Sequence, residues 1–279
     1  MRILITGGGG QLGRALARLG SQHEVLLPAR SELDIARPSA RDLVAAARPD
    51  LVINAAACTD VDGCERDPDL AYRVNALGAR YVALGAERAG AALVQVSTDF
   101  VFNGRKGAPY QEFDATEPLS VYGASKLAGE VAVREACARS YVARTAWLYG
   151  LGGRSFVTNM LDLAERRPRL EVVEHEVGSP TFCDDLAAAI LKLAASEVPG
   201  TYHLVNEGGC SRLEFARAIL DEAGRPDYPI DSVDHFPRAA ETPGYAPLRN
   251  FAAAELGVQL PDWRDALRRF LDAHLGRNG

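Results

Sequence analysis

Arg2-Ile3-Leu4-Ile5-Thr6-Gly7-Gly8-Gly9-Gly10-Gln11-Leu12-Gly13 opens the chain, and its reading decides the fold. Arg2–Thr6 is a short apolar run of strand type, and Gly10–Leu19 continues it as a helical pattern. The glycines between them fall at Gly7-x-x-Gly10-x-x-Gly13. Such a turn lets backbone approach a pyrophosphate closely, while the helix N-terminus adds free N–H groups and partial positive charge. Gly13 lets that helix lie close on the sheet. Glycines alone fit a tight turn without a ligand; strand, loop and helix in this order point to nucleotide binding.

The same alternation continues downstream. Glu24–Leu27, Leu51–Asn54, Ala92–Ser97 and Tyr141–Thr145 read as further strands, separated by helical patterns at Pro38–Ala47, Leu70–Ala89 and Leu119–Ala138. Short strands separated by helices predict right-handed crossovers and a parallel sheet covered on both faces. The expected fold class is therefore α/β, a Rossmann-type doubly wound sheet. After Trp147 the pattern loosens. Helices are expected at Ser155–Arg166, Asp184–Ala195, Ser211–Ala223 and Asp262–Ala273, with strand candidates at Leu170–Val173 and Thr201–Leu204. Pro226–Pro247, rich in proline and glycine, reads as ordered coil. This predicts a nucleotide-binding domain with the catalytic residues over 1–150. A smaller, mainly substrate-binding C-terminal lobe follows over 151–279, with segments that can return to the first domain.

Composition bounds the function classes. The chain has 279 residues, 47% hydrophobic and 24% charged, with net charge −6, as expected of an ordinary globule that does not offer a general nucleic-acid or anionic-membrane surface. No apolar run reaches the ~18 residues of a spanning helix, and no signal-peptide pattern follows Met1. The five cysteines are scattered, without Cys-x-x-Cys spacing, so neither a zinc site nor a disulfide framework is expected. A cytoplasmic protein is the expectation.

The cofactor's adenosine ribose should meet the residues after the second strand, Leu27-Pro28-Ala29-Arg30-Ser31. A ribose 2′-hydroxyl is usually held there by an acid, a 2′-phosphate by arginine. Arg30 and Ser31 suit the phosphate, so NADPH is the expected cofactor with NADH tolerated; Asp34 would meet the adenine. A solvated surface arginine is the alternative for Arg30.

Tyr122-Gly123-Ala124-Ser125-Lys126 places a phenol and an ammonium four residues apart at a predicted helix start, on one helix face. A nearby ammonium favours phenolate and lowers the phenol pKa, which suits a general acid/base. Thr98, at the end of the strand closing Val96-Ser97-Thr98-Asp99, offers a hydroxyl beyond a carboxyl strand end, where parallel sheets bind ligands. Asn54-Ala55-Ala56-Ala57 ends another strand in small residues, where backbone lies against a cofactor. Asn75 is a poor helix former inside its segment, bracing the site or merely solvated.

These residues, taken together, resemble the dTDP-4-dehydrorhamnose reductase family of the extended short-chain dehydrogenase/reductase superfamily. The resemblance spans nearly the whole chain. It rests on Gly7–Gly13, Asn54–Asp62, Ser97–Phe102, Tyr122–Glu130, Arg144–Gly150 and Gly178–Thr181. It implies reduction by NADPH of the 4-keto group of dTDP-4-dehydro-L-rhamnose to give dTDP-L-rhamnose. Thr98, Tyr122 and Lys126 would be catalytic. Gly7, Gly10, Gln11, Leu12, Arg30, Asp34, Ala55, Ala56, Ala57, Tyr122 and Lys126 would bind cofactor, and Val61, Thr98, Asp99, Tyr122 and Trp147 the nucleotide sugar, with Trp147 a flat apolar wall.

Two departures stand out. The family's Arg-Pro-x-x-Ser-x-Leu-like segment, which helps to hold the substrate diphosphate, reads Thr242-Pro243-Gly244-Tyr245-Ala246-Pro247-Leu248 here; Arg238 or Arg249 could supply the charge. Some members also bridge a dimer through magnesium with a first-helix glutamate. This chain has Arg14-Ala15-Leu16 there, so Mg2+ is not expected, and the chain is read as a monomer or homodimer without a metal site. The alternatives are another nucleotide-sugar 4-ketoreductase of deoxysugar synthesis, or a non-catalytic NADP-binding regulatory subunit on the same fold. A sugar 4,6-dehydratase is disfavoured, since Thr98 is followed by Asp99-Phe100 in place of an Asp-Glu pair.

Overall fold

A computed structural model describes residues 1–277. In chain order the elements are β1 (Arg2–Thr6), α1 (Gln11–Leu19), β2 (Glu24–Leu26), α2 (Ala40–Ala46), β3 (Leu51–Asn54), α3 (Val61–Arg66) and α4 (Pro68–Tyr72). A π-helical turn, Arg73–Gly78, joins α4 to α5 (Ala79–Ala89), followed by β4 (Ala92–Thr98), a 3-10 turn at Asp99–Val101, α6 (Val121–Ala136), β5 (Ser140–Thr145) and β6 (Leu148–Tyr149). Then come α7 (Phe156–Arg166), β7 (Leu170–Val173), β8 (Val177–Gly178), β9 (Thr181–Phe182), α8 (Cys183–Ala194) and β10 (Gly200–His203). The chain ends through β11 (Cys210–Ser211), α9 (Arg212–Glu222), β12 (Ile230–Val233), α10 (Phe251–Glu255) and α11 (Trp263–His274).

Six parallel strands form the main sheet in the order β10-β5-β4-β3-β1-β2. The chain runs outward from β1 to β2, then returns to β3 on the other side, so strand order reverses between β1 and β3. A crevice opens beyond the carboxyl ends at such a reversal. Alternation along the strands sends Ile3, Ile5, Ile53 and Val94 to one face, against Leu16 of α1 and Leu186, Ile190 and Leu193 of α8. Leu4, Val52 and Leu93 point to the other, against Val44, Val82, Ala83, Ala86 and Val133 of α2, α5 and α6. Both faces are thus buried, which is why these strands read as continuous apolar runs. A separate aromatic core, with Tyr149, Phe182, Phe215, Trp263 and Phe270, gathers the C-terminal elements.

Beyond the short strands β6, β8, β9 and β11 and the short helix α10, which no expected element covered, three features differ from the sequence expectation. Pro226–Pro247 is not all coil, because Ile230–Val233 pairs in parallel with β7; four residues with only two apolar ones carry no readable period. The expected long helix at Leu70–Ala89 is broken in register by its π-helical turn. Helix α3, in a stretch with no expected element, starts where the Asp60 carboxylate accepts the Gly63 N–H. Among the described residues no helix is long and apolar enough to cross a membrane.

Candidate active site

Gly7, at φ 72°, turns the chain sharply out of β1. A Cβ on Gly7 would lie 2.8 Å from the Ala56 nitrogen, and one on Gly13 would strike the Gly7 carbonyl oxygen. The turn is therefore open to backbone alone, and α1 lies directly on it. No side chain caps the N-terminus of α1 and no acid occupies its first turn. Its free N–H groups and positive dipole end face the crevice, as an anion requires.

Beneath this cradle a buried polar ladder ties the strand ends together. The Thr6 hydroxyl donates to Asn54 Oδ1 at 2.5 Å, Asn54 Nδ2 to Gln95 Oε1 at 2.7 Å, and Gln95 Nε2 to the Val96 carbonyl oxygen at 3.0 Å. Asn75 fixes the loop after β3. Its amide accepts from the Cys58 N–H at 2.9 Å and donates to the Cys58 carbonyl at 3.1 Å and to Ser125 Oγ at 3.0 Å. It is buried and braces the site, so solvation, the other reading open from sequence, does not apply.

Lys126 is almost fully buried, and its Nζ donates to the Val96 carbonyl oxygen at 2.6 Å. Burial pulls its pKa down to about 8, with the Glu130 carboxylate acting the other way. Glu130 is itself held by a two-pronged contact from Arg144, at 3.0 and 2.8 Å, and by Ser97 Oγ at 2.6 Å. Tyr122 packs edge-on against Phe100, with centroids 5.4 Å apart. Burial pushes its phenol above the ordinary value; the Thr98 hydroxyl works the other way and the Asp99 charge adds to the rise. The depressed phenol expected from sequence is thus not the state of this site: burial outweighs the charges around it, and the phenol keeps its proton. Thr98 donates to Asp99 Oδ1 at 2.9 Å and accepts the Phe100 N–H at 3.2 Å. Burial raises Asp99 to about 6, against the Thr98 hydrogen bond and the nearby Arg212 charge.

The far wall comes from the C-terminal half. Trp147 has a left-handed backbone, φ 44°, and its indole lies so close to Gly178 that a Cβ there would overlap it. The Arg212 guanidinium stacks over that indole, 3.4 Å from the ring centre, and Arg212 Nε contacts Glu176 at 3.3 Å. The wall expected to be apolar therefore carries a cation. Arg238 pairs with Asp62 at 3.4 Å, and Asp62 also accepts the Ala240 N–H.

One cleft of about 1060 Å³ unites these parts. Gly7, Gly10, Gln11, Leu12, Arg30, Asp34, Ala55, Ala56, Ala57, Val61, Thr98, Asp99, Tyr122, Lys126 and Trp147, all singled out from sequence, line it. Ser31 and Arg249 are not in its lining; Arg249 stacks on Phe251 instead. Arg238 lines it, as do Arg212, Leu33, Ile35 and Val74, which sequence reasoning missed. The apolar residues flanking Asp34 were the available signal for that part of the lining. Arg212 gave none, because an arginine opening an amphipathic helix looks like a solvated one.

The chain matches the family described as the RmlD substrate binding domain over residues 1–275. It is 43% identical to the dTDP-4-dehydrorhamnose reductase of Mycobacterium tuberculosis H37Rv, across 98% of this chain and 93% of that protein. It is 42% identical to the spore coat polysaccharide biosynthesis protein SpsK of Bacillus subtilis, across 97% and 96%. Among solved structures, dTDP-4-dehydrorhamnose reductase from Bacillus anthracis in complex with NADP superposes with a TM-score of 0.94 at 38% identity, across 98% of this chain and 99% of that one. With five of the six motifs, all but Gly178–Thr181, also lining a single cleft, the chain belongs to the RmlD substrate binding domain family, that of the dTDP-4-dehydrorhamnose reductases.

Proposed function

We propose that this protein uses NADPH to reduce the 4-keto group of dTDP-4-dehydro-L-rhamnose, giving dTDP-L-rhamnose. The observation that carries the reading is the meeting of Thr98, Tyr122 and Lys126 in the cleft whose other end is the glycine cradle. Relatives that bear the reductase name, one of them solved with NADP, support the same reading.

The residues present suit the cofactor. Gly7 and Gly13 leave room only for backbone beside a pyrophosphate, and the uncapped α1 N-terminus supplies donors. Arg30, in the loop after β2, is 79% exposed; its Nε makes a long 3.8 Å ion pair with Asp34, which leaves its terminal nitrogens to meet a 2′-phosphate. The Glu32 carboxylate is engaged by the Ala29 N–H at 2.7 Å, so it is drawn into the loop. These features favour NADPH over NADH. When bound, the cofactor supplies a hydride to the carbonyl carbon.

The protein's own residues supply the rest. Tyr122 holds a proton on its phenol oxygen and gives it to the developing alkoxide, acting as general acid. Thr98 offers its hydroxyl to the same oxygen, releasing Asp99. Lys126, fixed on the Val96 carbonyl, presents its charge to the nicotinamide ribose and to the phenolate left behind, so the charge that develops on Tyr122 is matched. Val61, Asp99 and Trp147 surround the sugar. In this division residues 1–150 hold the cofactor and the catalytic groups, with α8 and β10 completing that layer, and most of the remainder holds substrate.

The test is NADPH oxidation by the purified protein with dTDP-4-dehydro-L-rhamnose, with product identified by mass and sugar configuration. A second reading, another nucleotide-sugar 4-ketoreductase, is favoured by one observation: Thr242 stands where the family's segment has arginine. A panel of 4-keto sugars separates the two. Cofactor binding without turnover of any would leave a regulatory NADP-binding subunit.

A further inference from the structure

We infer that Arg212 is the positioning residue that anchors the diphosphate of the nucleotide sugar, a charge contributed from α9 rather than from the segment around residue 242. The inference rests on the nucleotide-sugar reading above. Four cationic side chains line the cleft: Arg30, Lys126, Arg212 and Arg238. Arg30 lies at the adenosine end, and Lys126 is committed to the Val96 carbonyl at the reacting end. A substrate with its own diphosphate brings a second pair of negative charges into the same cleft. Arg212 and Arg238 are the cations left for it.

Arg212 is the one built for the task. Its guanidinium lies 3.4 Å over the Trp147 ring and 5.0 Å from the Phe156 ring centre, so two aromatic faces hold its plane. Among the described residues its Nε contacts Glu176 Oε2, and neither terminal nitrogen has a hydrogen-bond partner in the protein. A planar guanidinium stacked on an aromatic face, with its terminal nitrogens free, is pre-organised for two-pronged recognition of phosphate oxygens. Arg238, in contrast, extends from the irregular loop before α10, and its nearest partner is Asp62. That Asp62 pairing is not lost by protonation near neutrality, because the Ala240 N–H and then the Arg238 charge hold its carboxyl below the usual range against the opposing effect of burial.

The position also accounts for the altered segment. Thr242 Oγ1 donates to Glu176 Oε1 at 3.1 Å, while Arg212 engages the other oxygen of the same carboxylate. Residues 212 and 242 therefore meet at one acid, and a guanidinium arriving from either side would serve one anion. Here the cation comes from α9 and a threonine fills the other side.

The experiment measures binding of dTDP alone by calorimetry, with NADPH present, so that it needs no turnover. Arg212→Gln should weaken dTDP roughly 10- to 100-fold, the loss expected for a charge-assisted pair, with NADPH affinity and melting temperature near those of the parent. Arg238→Gln should weaken it less, and Arg249→Gln, outside the cleft, not at all. Adding Thr242→Arg to Arg212→Gln should restore much of the affinity. In turnover, Arg212→Gln should raise the KM for the nucleotide sugar with kcat little changed. Unchanged dTDP binding in Arg212→Gln, a loss confined to Arg238→Gln, or no dTDP binding by the parent protein would overturn the assignment. Arg212-dependent dTDP binding without reduction of the keto sugar would leave this subsite standing and remove the proposed activity.

Discussion

Lys126 Nζ and the Val96 carbonyl oxygen lie 2.6 Å apart, which fixes the ammonium of α6 to the carboxyl end of β4. The same oxygen accepts from Gln95 Nε2, so it is the junction between α6 and the polar ladder under the cradle. The fold itself thereby fixes the ammonium, and in the proposed mechanism its protonation sets the charge beside Tyr122.

That charge is lost within a measurable range. Lys126 titrates at about 8 in the folded protein, below the ordinary lysine value, because it is buried. Between there and ~10.5 the unfolded chain holds a proton that the folded protein has released, so this lysine's contribution to folding stability rises with pH across that window. Activity runs the other way. The kcat/KM for NADPH, which reports the free enzyme, should fall as pH rises through about 8. Lys126→Arg should remove that fall, at some loss of rate. Glu130→Gln should move it to lower pH, because Glu130 holds the lysine pKa up. That variant should also lose about 3–5 kcal/mol of stability in urea unfolding, since it leaves the Arg144 guanidinium without its buried partner.

Tyr122→Phe should bind NADPH as the parent does in a fluorescence titration, and lose roughly 10²- to 10⁴-fold in kcat. Near-parental turnover would remove the phenol from the role of acid.

Asp99 contributes in the opposite sense to Lys126. Its carboxyl is raised to about 6 by burial. From ~3.9 up to there, the folded protein keeps a proton that the unfolded chain has lost, so its contribution to stability falls as pH rises through the window. Asp99→Asn, which can still accept from Thr98, should therefore melt higher than the parent at pH 8, by on the order of 1–3 kcal/mol. At pH 4 the two should converge. Thermal melts at both values test this, and a difference that does not vary with pH would contradict it.

Asn75→Ala removes three hydrogen bonds from a buried position. Leaving the Cys58 N–H unpaired, and its carbonyl with only the weak Cys64 thiol contact, should destabilise by about 2–4 kcal/mol. Because that loop precedes Val61 and follows Ala55–Ala57, NADPH affinity should fall with it. Chemical denaturation and cofactor titration of one variant read both.

The parts of the site legible in the sequence were those written in local spacing. Gly7–Gly13 and Tyr122–Lys126 need only one turn or one helix face, and Thr98 needs only the end of one strand. Leu51–Asn54 and Leu170–Val173 were readable to the residue because their bounds are marked by apolar composition. Arg212 was not. A helix was expected at Ser211–Ala223, and the structure starts α9 there with a capping box between Ser211 and Glu214. Its meeting with Trp147 depends on the pairing of β11 with β8, two residues from each of two distant segments. The π-helical turn around Asn75 was nearly as silent: Asn75 is a poor helix former, but no local pattern marks a wider turn. Tyr122 shows a third kind of limit. Spacing supplied its charged neighbour, but the direction of its pKa is set by burial, which no local pattern records.

The last strand of the main sheet has a consequence for protein engineering. β10 covers the flank of β5, pairing Gly200–His203 with Tyr141–Arg144, yet about fifty residues of chain separate the two strands. A chimera that exchanged everything after β5 for the matching part of a relative would import a foreign edge strand along with the proposed sugar wall. A single crossover point is therefore the wrong recipe for changing specificity. Two junctions, one after Trp147 and one ahead of α8, would transplant the stretch holding Glu176 and Gly178 while leaving α8, β10 and the sheet native, and Arg212 would then have to be chosen to suit its new neighbours.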